Sequence, residues 1–208
     1  MLSMRFFDFL FPPRSDEVVL RDVSNDDFLV QVAPRLVGET RPETIALLPF
    51  SAASVRAAIH EAKYHGSERA FALLSSALAE YLRDADDGFG KPVIVPVPLG
   101  KERYQERGFN QAEEIVRRVA KELGIVVDAL LLERVRETAS QVSLPRRARE
   151  ENMRGAFRIA QDAARSINPA YTYIVIDDVV TTGATLQAAV DALKAAGAEH
   201  IIPLALAH

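Results

Sequence analysis

The sequence predicts an α/β fold with a mostly parallel sheet flanked by helices, and a small helical hood region at the N-terminus. Two segments carry this prediction. The apolar run Val93–Leu99 is followed by a helical pattern and by a second apolar run, Ile125–Leu132. Tyr173–Asp177 is likewise followed by a helical pattern and by the apolar run His200–Ala207. Strand, helix, strand in this order, found twice, is typical of parallel sheets covered by helices.

The N-terminal region is predicted to be helical. Apolar residues at helical spacing indicate two helix faces, but residues 14–50 are polar and irregular, with only a weak helical pattern over Asn25–Leu36. The stretch Asp84–Pro92 combines acidic residues with glycine, which marks a boundary. We therefore expect a helical hood over residues 1–90 and an α/β domain over residues 91–208. The two predicted faces consist of Val55, Ala58, Ile59 and Ala62, and of Phe71, Leu74, Leu78, Tyr81 and Leu82.

The second half carries clearer signals. Asn110 has the side chain of a helix cap, and Gly124 ends the apolar pattern that follows it. Tyr173–Asp177 is a continuous apolar run into an aspartate, as expected for a strand with both faces covered. A short strand is also expected in the sequence GAFRI that ends at Ile159. The helix face after the Tyr173 strand consists of Leu186, Ala189, Val190 and Leu193 and is closed by Gly197.

Composition excludes several classes of protein. The chain has 208 residues, a formal net charge of −4 and no cysteine. Disulfides, thiol catalysis and thiolate metal sites are therefore excluded. The negative balance argues against binding nucleic acid through overall charge. The apolar run Phe6–Phe11 is short and contains Asp8, so we expect a docking helix ended by Pro12 and Pro13 rather than a signal peptide or membrane span, and a cytoplasmic protein.

The segment Tyr173–Leu186, YIVIDDVVTTGATL, carries the chemistry. Ligands of open parallel sheets bind beyond the carboxyl ends of the strands, where Asp177 and Asp178 lie. The start of the next helix suits a phosphate, since it presents unpaired N–H groups. The aspartates would accept hydrogen bonds from the two neighbouring hydroxyls of a ribose. The predicted phosphate-binding residues are Val179, Val180, Thr181, Thr182, Gly183, Ala184 and Thr185.

Two alternatives were weighed for this segment. The aspartates could serve only the helix N-terminus, with the threonines as turn residues. A glycine-rich nucleotide loop is the competing phosphate site, but the chain contains no G-x-x-x-x-G-K-[ST].

All thirteen positions of Tyr173–Thr185 resemble the signature for 5-phosphoribosyl-1-pyrophosphate (PRPP) in type I phosphoribosyltransferases. The surrounding residues narrow the resemblance to one branch, the competence protein F (ComF) family. The segments that resemble this family are AKYHG (Ala62–Gly66) and VPVPLGKERYQERGFNQA (Val95–Ala112). The resemblance covers about three quarters of the chain, from Ser51 onward. The spaced set that completes it is Arg136, Gln141, Leu144, Arg149, Asn152 and Gly155-Ala156-Phe157.

The N-terminus departs from this family. Family members carry a cysteine-paired zinc knuckle after an apolar stretch and Phe-Pro, whereas this chain has Arg14 and Ser15 at that place. We expect no structural zinc. His60 and His65 are five residues apart, a spacing that does not put them on one helix face.

The resemblance implies further site residues. Leu99, Gly100 and Lys101 would bind pyrophosphate, with Arg103 and Arg107 nearby; the alternative is a proline-stiffened turn. Lys63 would reach the same group, or be an ordinary exposed lysine.

A mobile lid is the family's counterpart of Glu133–Arg158, which holds seven arginines and four glutamates. Gln141, Arg149 and Asn152 are its candidate ligand contacts. The alternative is a solvated charged surface.

Two functions are compatible with this resemblance. The first is a phosphoribosyltransferase that uses PRPP with Mg²⁺, held through PRPP and not by direct protein ligands, and an unidentified acceptor. The second is a non-catalytic PRPP-binding sensor or scaffold linked to DNA uptake, with nucleic acid contacted only indirectly. No membrane partner is expected, and the oligomeric state cannot be predicted.

Overall fold

The computed structural model of the chain describes residues 14–136, 146–161 and 167–208. Its strands form a six-stranded sheet and a separate two-stranded antiparallel sheet. In the large sheet the order is β1-β2-β8-β7-β3-β4, and only β1 runs antiparallel to its neighbour. The mostly parallel α/β fold is confirmed. The strands are β1 (Arg35–Val37), β2 (Thr44–Leu48), β3 (Pro92–Pro96), β4 (Val126–Val127), β5 (Leu132–Arg134), β6 (Phe157–Ile159), β7 (Thr172–Val179) and β8 (His200–Ala207).

Helices cover both faces of the large sheet. They are α1 (Ser15–Arg21), α2 (Asn25–Leu29), α3 (Ala53–His65), α4 (Glu68–Asp84), α5 (Asp86–Phe89), α6 (Lys101–Arg107), α7 (Gln111–Leu123), α8 (Arg146–Met153) and α9 (Ala184–Ala195). Helices α1 to α4 and α7 share one core with one face of the sheet, while α9 and the β5–β6 hairpin pack on the other face. No helix in the described ranges is long and apolar enough to cross a membrane.

Strand β7 is the buried centre of the sheet, between β8 and β3. Its side chains alternate between the two cores: Ile174 and Ile176 belong to one, Tyr173 and Val175 to the other. Because both faces are covered, every residue in this run is apolar. The strand extends beyond the predicted Tyr173–Asp177 to include Asp178 and Val179, so the acid pair is part of the sheet.

Helix α7 forms where its sequence signals predict. The Asn110 side chain accepts a hydrogen bond from the Ala112 N–H at 3.1 Å. Gly124 ends the helix in the left-handed region, at φ 72°, where a side chain would be strained. The buried face, Ala112, Ile115, Val116 and Val119, packs on the sheet.

The N-terminal region holds two strands that the sequence analysis missed. Strand β2 pairs in parallel with β8, and β1 adds an antiparallel edge. The apolar residues of β2 stand directly before Pro49 and were obscured by the polar residues around them. The division at residue 90 stays a prediction, but the central sheet includes strands from both sides of it.

Two other strand predictions need shorter bounds. β3 ends at Pro96 instead of Leu99; the Val97 N–H still reaches the Ile176 carbonyl at 2.9 Å, and Pro98 has no N–H to continue the ladder. The run Ile125–Leu132 is divided between β4 and β5, which belong to different sheets.

An ion pair fastens the first described residues to helix α3. The Arg14 guanidinium donates to both carboxylate oxygens of Glu61, at 2.8 and 2.6 Å. Only 1% of the Glu61 side chain is exposed. The guanidinium lowers the pKa of this carboxyl, against the effect of burial. Arg14 thus compensates a carboxylate that the fold removes from water.

We expect Arg14→Met to lower the melting temperature, because it leaves the buried Glu61 carboxylate without its cation. The double variant Arg14→Met/Glu61→Gln should lose less, since no charge is then left unpaired. Thermal unfolding at pH 7 measures both, with Arg83→Met as an exposed ion-pair control. Equal losses in the single and double variants would contradict the assignment.

Candidate active site at the carboxyl end of β7

The acid pair, Asp177 and Asp178, lies at the carboxyl end of the central strand β7. Asp178 is buried and Asp177 is half-buried. The Asp178 main-chain N–H donates to Asp177 Oδ1 at 2.9 Å, and the Val179 N–H donates to Asp178 Oδ1 at 2.7 Å. The main chain therefore fixes both carboxylates at the end of the strand.

Two side chains from distant parts of the chain converge on Asp178. Lys63 Nζ, from the end of helix α3, lies 3.1 Å from Asp178 Oδ2. Gln111 Nε2, at the start of α7, donates to the same oxygen at 2.9 Å. Burial would raise the pKa of Asp178, but the Lys63 charge and these hydrogen bonds outweigh it, and the pKa is lowered. Asp178 is therefore ionised at neutral pH.

The environment has the opposite effect on Asp177. Burial and the neighbouring Asp178 charge raise the pKa of Asp177 to about 7, although Lys63 partly opposes them. Two carboxylates this close disfavour double ionisation. The pair therefore combines an ionised carboxylate, Asp178, with a carboxyl group, Asp177, whose pKa is about 7.

Lys63 is held as a cation beside the pair. Burial would lower the pKa of its ammonium group, but the charge of Asp178 and its hydrogen bond outweigh burial and raise the pKa. The sequence analysis weighed pyrophosphate contact against an ordinary exposed lysine. The structure shows a partly buried ion pair with an acid-pair carboxylate, while contact with pyrophosphate stays a prediction.

The predicted phosphate cup surrounds the start of helix α9. Gly183 caps the helix at φ 80°. Among the described residues, the main-chain N–H groups of Thr182, Gly183 and Thr185 have no hydrogen-bond partner. Ala184 N–H makes only a long contact of 3.4 Å with Thr182 Oγ1. These groups suit an anion at the helix N-terminus.

Part of the predicted cup needs correction. The Val179 N–H donates to Asp178 Oδ1, and the Val180 N–H donates to the Ala207 carbonyl at 3.0 Å. The Val180 side chain is buried in the core. Since both N–H groups have partners inside the protein, the available donors begin after Val180. Phosphate binding by the remainder of the cup stays a prediction.

The β1–β2 loop presses against the cup. The Arg41 N–H lies 3.4 Å from the Thr182 carbonyl oxygen. A Cβ on Gly183 would come within 2.7 Å of the Arg41 carbonyl oxygen and 3.0 Å of Thr40 Cβ. Buried Thr40 stiffens the loop, with its hydroxyl 2.7 Å from the Val37 carbonyl oxygen. Gly183 is thus required by both its positive φ and the backbone packed against it.

The predicted pyrophosphate residues lie at different places. Gly100 caps helix α6, which begins at Lys101. Leu99 and Lys101 line a cavity of about 340 Å³ with Pro98, Tyr104, Gln105, Asn110, Glu113 and Ala129, a lining that includes neither aspartate. Half-buried Arg103 lies in the same helix. Among the described residues, no hydrogen bond or ion pair joins Leu99 or Arg103 to the acid pair.

Arg107, by contrast, is linked to the acid pair. Its Nη1 donates to Gln111 Oε1 at 3.0 Å, and Gln111 in turn donates to Asp178. The guanidinium carbon also lies 5.1 Å from the centre of the Tyr64 ring, a cation–π distance. Arg107, through Gln111, and Lys63, directly, are therefore predicted pyrophosphate residues that the fold connects to Asp178.

The predicted lid is described only in part. Gln141 lies outside the described residues. Arg149 belongs to helix α8, and the main-chain oxygen of Asn152 accepts a hydrogen bond from Arg136 Nη2 at 2.6 Å. Arg136 Nη2 also donates to the Arg154 carbonyl at 2.8 Å. Arg136 thus ties the chain after β5 to the end of α8.

The spacing argument about His60 and His65 is wrong. Ligand atoms of His60, Glu61 and His65 all lie within 4.8 Å of one another. Their partners account for this cluster without a metal: Arg14 binds both oxygens of Glu61, and His60 Nδ1 lies 2.9 Å from Asp16 Oδ2. The absence of structural zinc stays a prediction.

Sequence reasoning missed Gln111 and the Thr40–Arg41 loop. Gln111 belongs to the quoted stretch RGFNQA, but no role was assigned to it because its carboxylate partner is 67 residues away. The loop was missed together with strands β1 and β2, and no local signal relates it to the cup.

Comparison with known proteins identifies the family of the chain. The family described as phosphoribosyl transferase domain matches residues 62–208. The chain belongs to this family. The match includes Lys63, Gln111, the acid pair and the cup, and begins after the β1–β2 loop.

Relatives of this phosphoribosyl transferase domain confirm the resemblance to the ComF family. DNA utilization protein YhgH of Salmonella typhi is 34% identical over 131 residues, 62% of this chain and 56% of that protein. Competence protein F of Haemophilus influenzae is 33% identical over 108 residues, 52% and 46% of the two chains. Competence protein ComFC of Streptococcus pneumoniae is 31% identical over 129 residues, 62% and 54%. The alignments therefore span about half the length of these relatives.

We expect Gly183→Ala to destabilise the protein by more than the roughly 1–2 kcal/mol that a left-handed conformation costs an L-residue, because its Cβ would meet the Arg41 carbonyl. Gly124→Ala is the matched control, since Gly124 also has a positive φ but open space at its Cβ. Urea unfolding compares the two variants. Equal losses would show that the β1–β2 loop yields without cost.

Proposed function

We propose that the protein binds PRPP with Mg²⁺ at the end of strand β7 and transfers the phosphoribosyl group to an acceptor, releasing pyrophosphate. One observation carries the proposal: the acid pair, with the Lys63 ammonium 3.1 Å from Asp178 Oδ2, comes just before a helix start at which the N–H groups of Thr182, Gly183 and Thr185 have no partner among the described residues. This order matches the order of ribose and 5′-phosphate in the ligand.

The cup would hold the 5′-phosphate. The N–H groups of Thr182, Gly183 and Thr185 are free of partners in the described chain, and the positive end of the α9 dipole favours an anion there. Thr182 and Thr185 add hydroxyl groups. Backbone donors fixed by the fold need little rearrangement when the phosphate arrives.

The acid pair would hold the ribose. Asp178 already accepts three hydrogen bonds, from Val179, Gln111 and Lys63, so its role is mainly to keep Lys63 in place. Asp177 accepts a main-chain hydrogen bond from the Asp178 N–H, and its side chain interacts with the Asp178 carboxylate but with no cationic side chain at hydrogen-bond distance among the described residues. Asp177 is therefore the better acceptor for a ribose hydroxyl, and it accepts most strongly when ionised.

Lys63 and Arg107 would neutralise the leaving pyrophosphate. Departure of pyrophosphate from the anomeric carbon leaves an oxocarbenium-like sugar, so the protein must stabilise charge and exclude water. Lys63 offers a point charge, and Arg107 offers a planar guanidinium that suits phosphate oxygens. Both are anchored through Asp178 before the ligand binds.

The donor set fits Mg²⁺ held through the ligand. Mg²⁺ prefers oxygen ligands and keeps several waters. The Asp177 carboxylate would accept hydrogen bonds from those waters. Asp178 instead accepts from the Lys63 ammonium and the Gln111 amide. When bound, Mg²⁺ supplies positive charge to the pyrophosphate oxygens. This arrangement agrees with an ion that has no direct protein ligand.

A turnover experiment tests the transferase proposal. The protein would be incubated with PRPP, Mg²⁺ and pools of bases and amines, and pyrophosphate release would be measured. Release that requires an acceptor supports transfer.

The second candidate is a non-catalytic PRPP-binding module. It draws on the names of the relatives, which refer to DNA utilization and competence. In that case the domain would act as a sensor or scaffold linked to DNA uptake. PRPP binding without acceptor-dependent release would favour it over the transferase.

We expect Asp178→Asn to weaken PRPP binding markedly, because it removes the carboxylate that holds Lys63 and Gln111; a charge-assisted hydrogen bond is worth about 1.5–3 kcal/mol. Calorimetry with Mg²⁺ measures the affinity. Asp191→Asn is the matched control, since Asp191 is exposed on helix α9 away from the acid pair. Unchanged affinity in Asp178→Asn would overturn the site assignment.

We also expect a pH signature of Asp177. Its folded pKa, about 7, is above its usual value of 3.8, so its contribution to stability is present at low pH and lost as pH rises towards 7. Asp177→Asn removes this loss. The melting temperature of the variant relative to wild type should therefore increase between pH 5 and pH 8, by about 2–4 °C for each kcal/mol recovered. A constant difference would contradict the raised pKa.

A further inference from the structure

The buried amide of Gln111 links Arg107 to Asp178, the residue that also binds Lys63. Gln111 is the first residue of helix α7 and is 3% exposed. Its Oε1 accepts from Arg107 Nη1 at 3.0 Å, while its Nε2 donates to Asp178 Oδ2 at 2.9 Å. Both ends of the amide are therefore used, each by a charged group.

These contacts close into a ring. Asp178 Oδ2 also receives the Lys63 ammonium at 3.1 Å. Tyr64, the next residue in helix α3, lies beneath the Arg107 guanidinium at 5.1 Å. We call these five residues the Gln111 circuit: Lys63, Tyr64, Arg107, Gln111 and Asp178. It joins helices α3, α6 and α7 to strand β7.

A glutamine side chain suits the centre of this circuit. It must accept from a guanidinium and donate to a carboxylate, and an amide does both. Glutamate would repel Asp178, leucine would leave both partners without a hydrogen bond, and asparagine is one methylene shorter. The charges of Arg107 and Asp178 also fix the orientation of the amide, with its oxygen towards the guanidinium and its nitrogen towards the carboxylate.

We propose that Gln111 is a positioning residue for the anionic ligand. Its amide holds Arg107 and Asp178, and through Asp178 also Lys63, in one arrangement that receives the pyrophosphate group. The identity of that ligand rests on the proposed function; the arrangement itself does not. Because both cations are already held, little side-chain freedom is lost when the ligand binds.

Calorimetric titration with Mg²⁺·pyrophosphate and with Mg²⁺·PRPP tests this role. Gln111→Leu should bind both ligands about 10-fold more weakly, the order of one charge-assisted hydrogen bond. Gln161→Leu is the matched control, an exposed glutamine after strand β6, and should bind as wild type does. In an Arg107→Met background the effect of Gln111→Leu should shrink, because one of the two groups it positions is gone.

A pH profile separates positioning from a purely structural role. In Gln111→Glu the new carboxyl would face Asp177 and Asp178 from β7, Lys63 from α3 and Arg107 from α6. At pH 5.5 it can share a proton with Asp178 and replace the lost hydrogen bond, whereas at pH 8 the two carboxylates repel each other. The affinity deficit relative to wild type should therefore be several-fold larger at pH 8. A structural defect alone would give the same deficit at both pH values.

A measurement without ligand keeps this proposal separate from the proposed function. Carboxyl ¹³C NMR should show a higher pKa for Asp178 in Gln111→Leu than in wild type, and an unchanged Asp178 pKa in Gln161→Leu. If wild type binds no PRPP but this shift is present, the proposed function fails and the arrangement of the circuit stands. An unshifted Asp178 pKa, a Gln111→Leu deficit that is fully additive with that of Arg107→Met, or a Gln111→Glu deficit that is equal at both pH values would overturn the role of Gln111.

Discussion

The site depends on one electrostatic constraint: two adjacent carboxyl groups at the end of a strand that is buried on both faces. Two negative charges cannot both remain there without compensation. The fold supplies it with the Lys63 ammonium and the Gln111 amide, which meet at one oxygen of Asp178. The helices that carry them, α3 and α7, therefore have to pack where they do. These groups do not fully compensate the charge of Asp177, and its pKa is therefore raised.

A second constraint acts on the other side of the acid pair. The cup needs a glycine at its helix cap, and the backbone of Thr40 and Arg41 occupies the space where a Cβ would be. This loop belongs to β1 and β2, which precede the residues matched by the family. The N-terminal segment thus contributes to the shape of the cup as well as to the edge of the sheet. Together with Lys63 on helix α3, it makes the site a joint product of both halves of the chain.

Local patterns were enough to predict the parts of the structure whose causes are local. The apolar run of β7 and the Asn110 cap each act on their immediate neighbours, and both are found as expected. The pairing of Gln111 with Asp178 spans 67 residues and was invisible in the sequence. Helical spacing also misled the analysis of His60 and His65, since side-chain rotamers bring atoms together that a helical wheel separates. The short strand β2 gained its identity only from pairing with β8.

The charge balance of the circuit explains why such a site would need further cations. The cations Lys63 and Arg107 lie close to Asp178 and to Asp177, which its pKa of about 7 leaves partly protonated. The positive and negative charges of these four side chains therefore nearly cancel. That balance keeps a buried polar cluster stable without ligand. A ligand with several negative charges, such as PRPP, exceeds what the two cations can neutralise. Under the proposed function, Mg²⁺ bound to the ligand would supply further positive charge. The stretch Glu133–Arg158 carries seven arginines in a chain whose net charge is −4, and Arg136 anchors the main chain at its end. The arginines of this stretch are a second candidate source of positive charge for such a ligand.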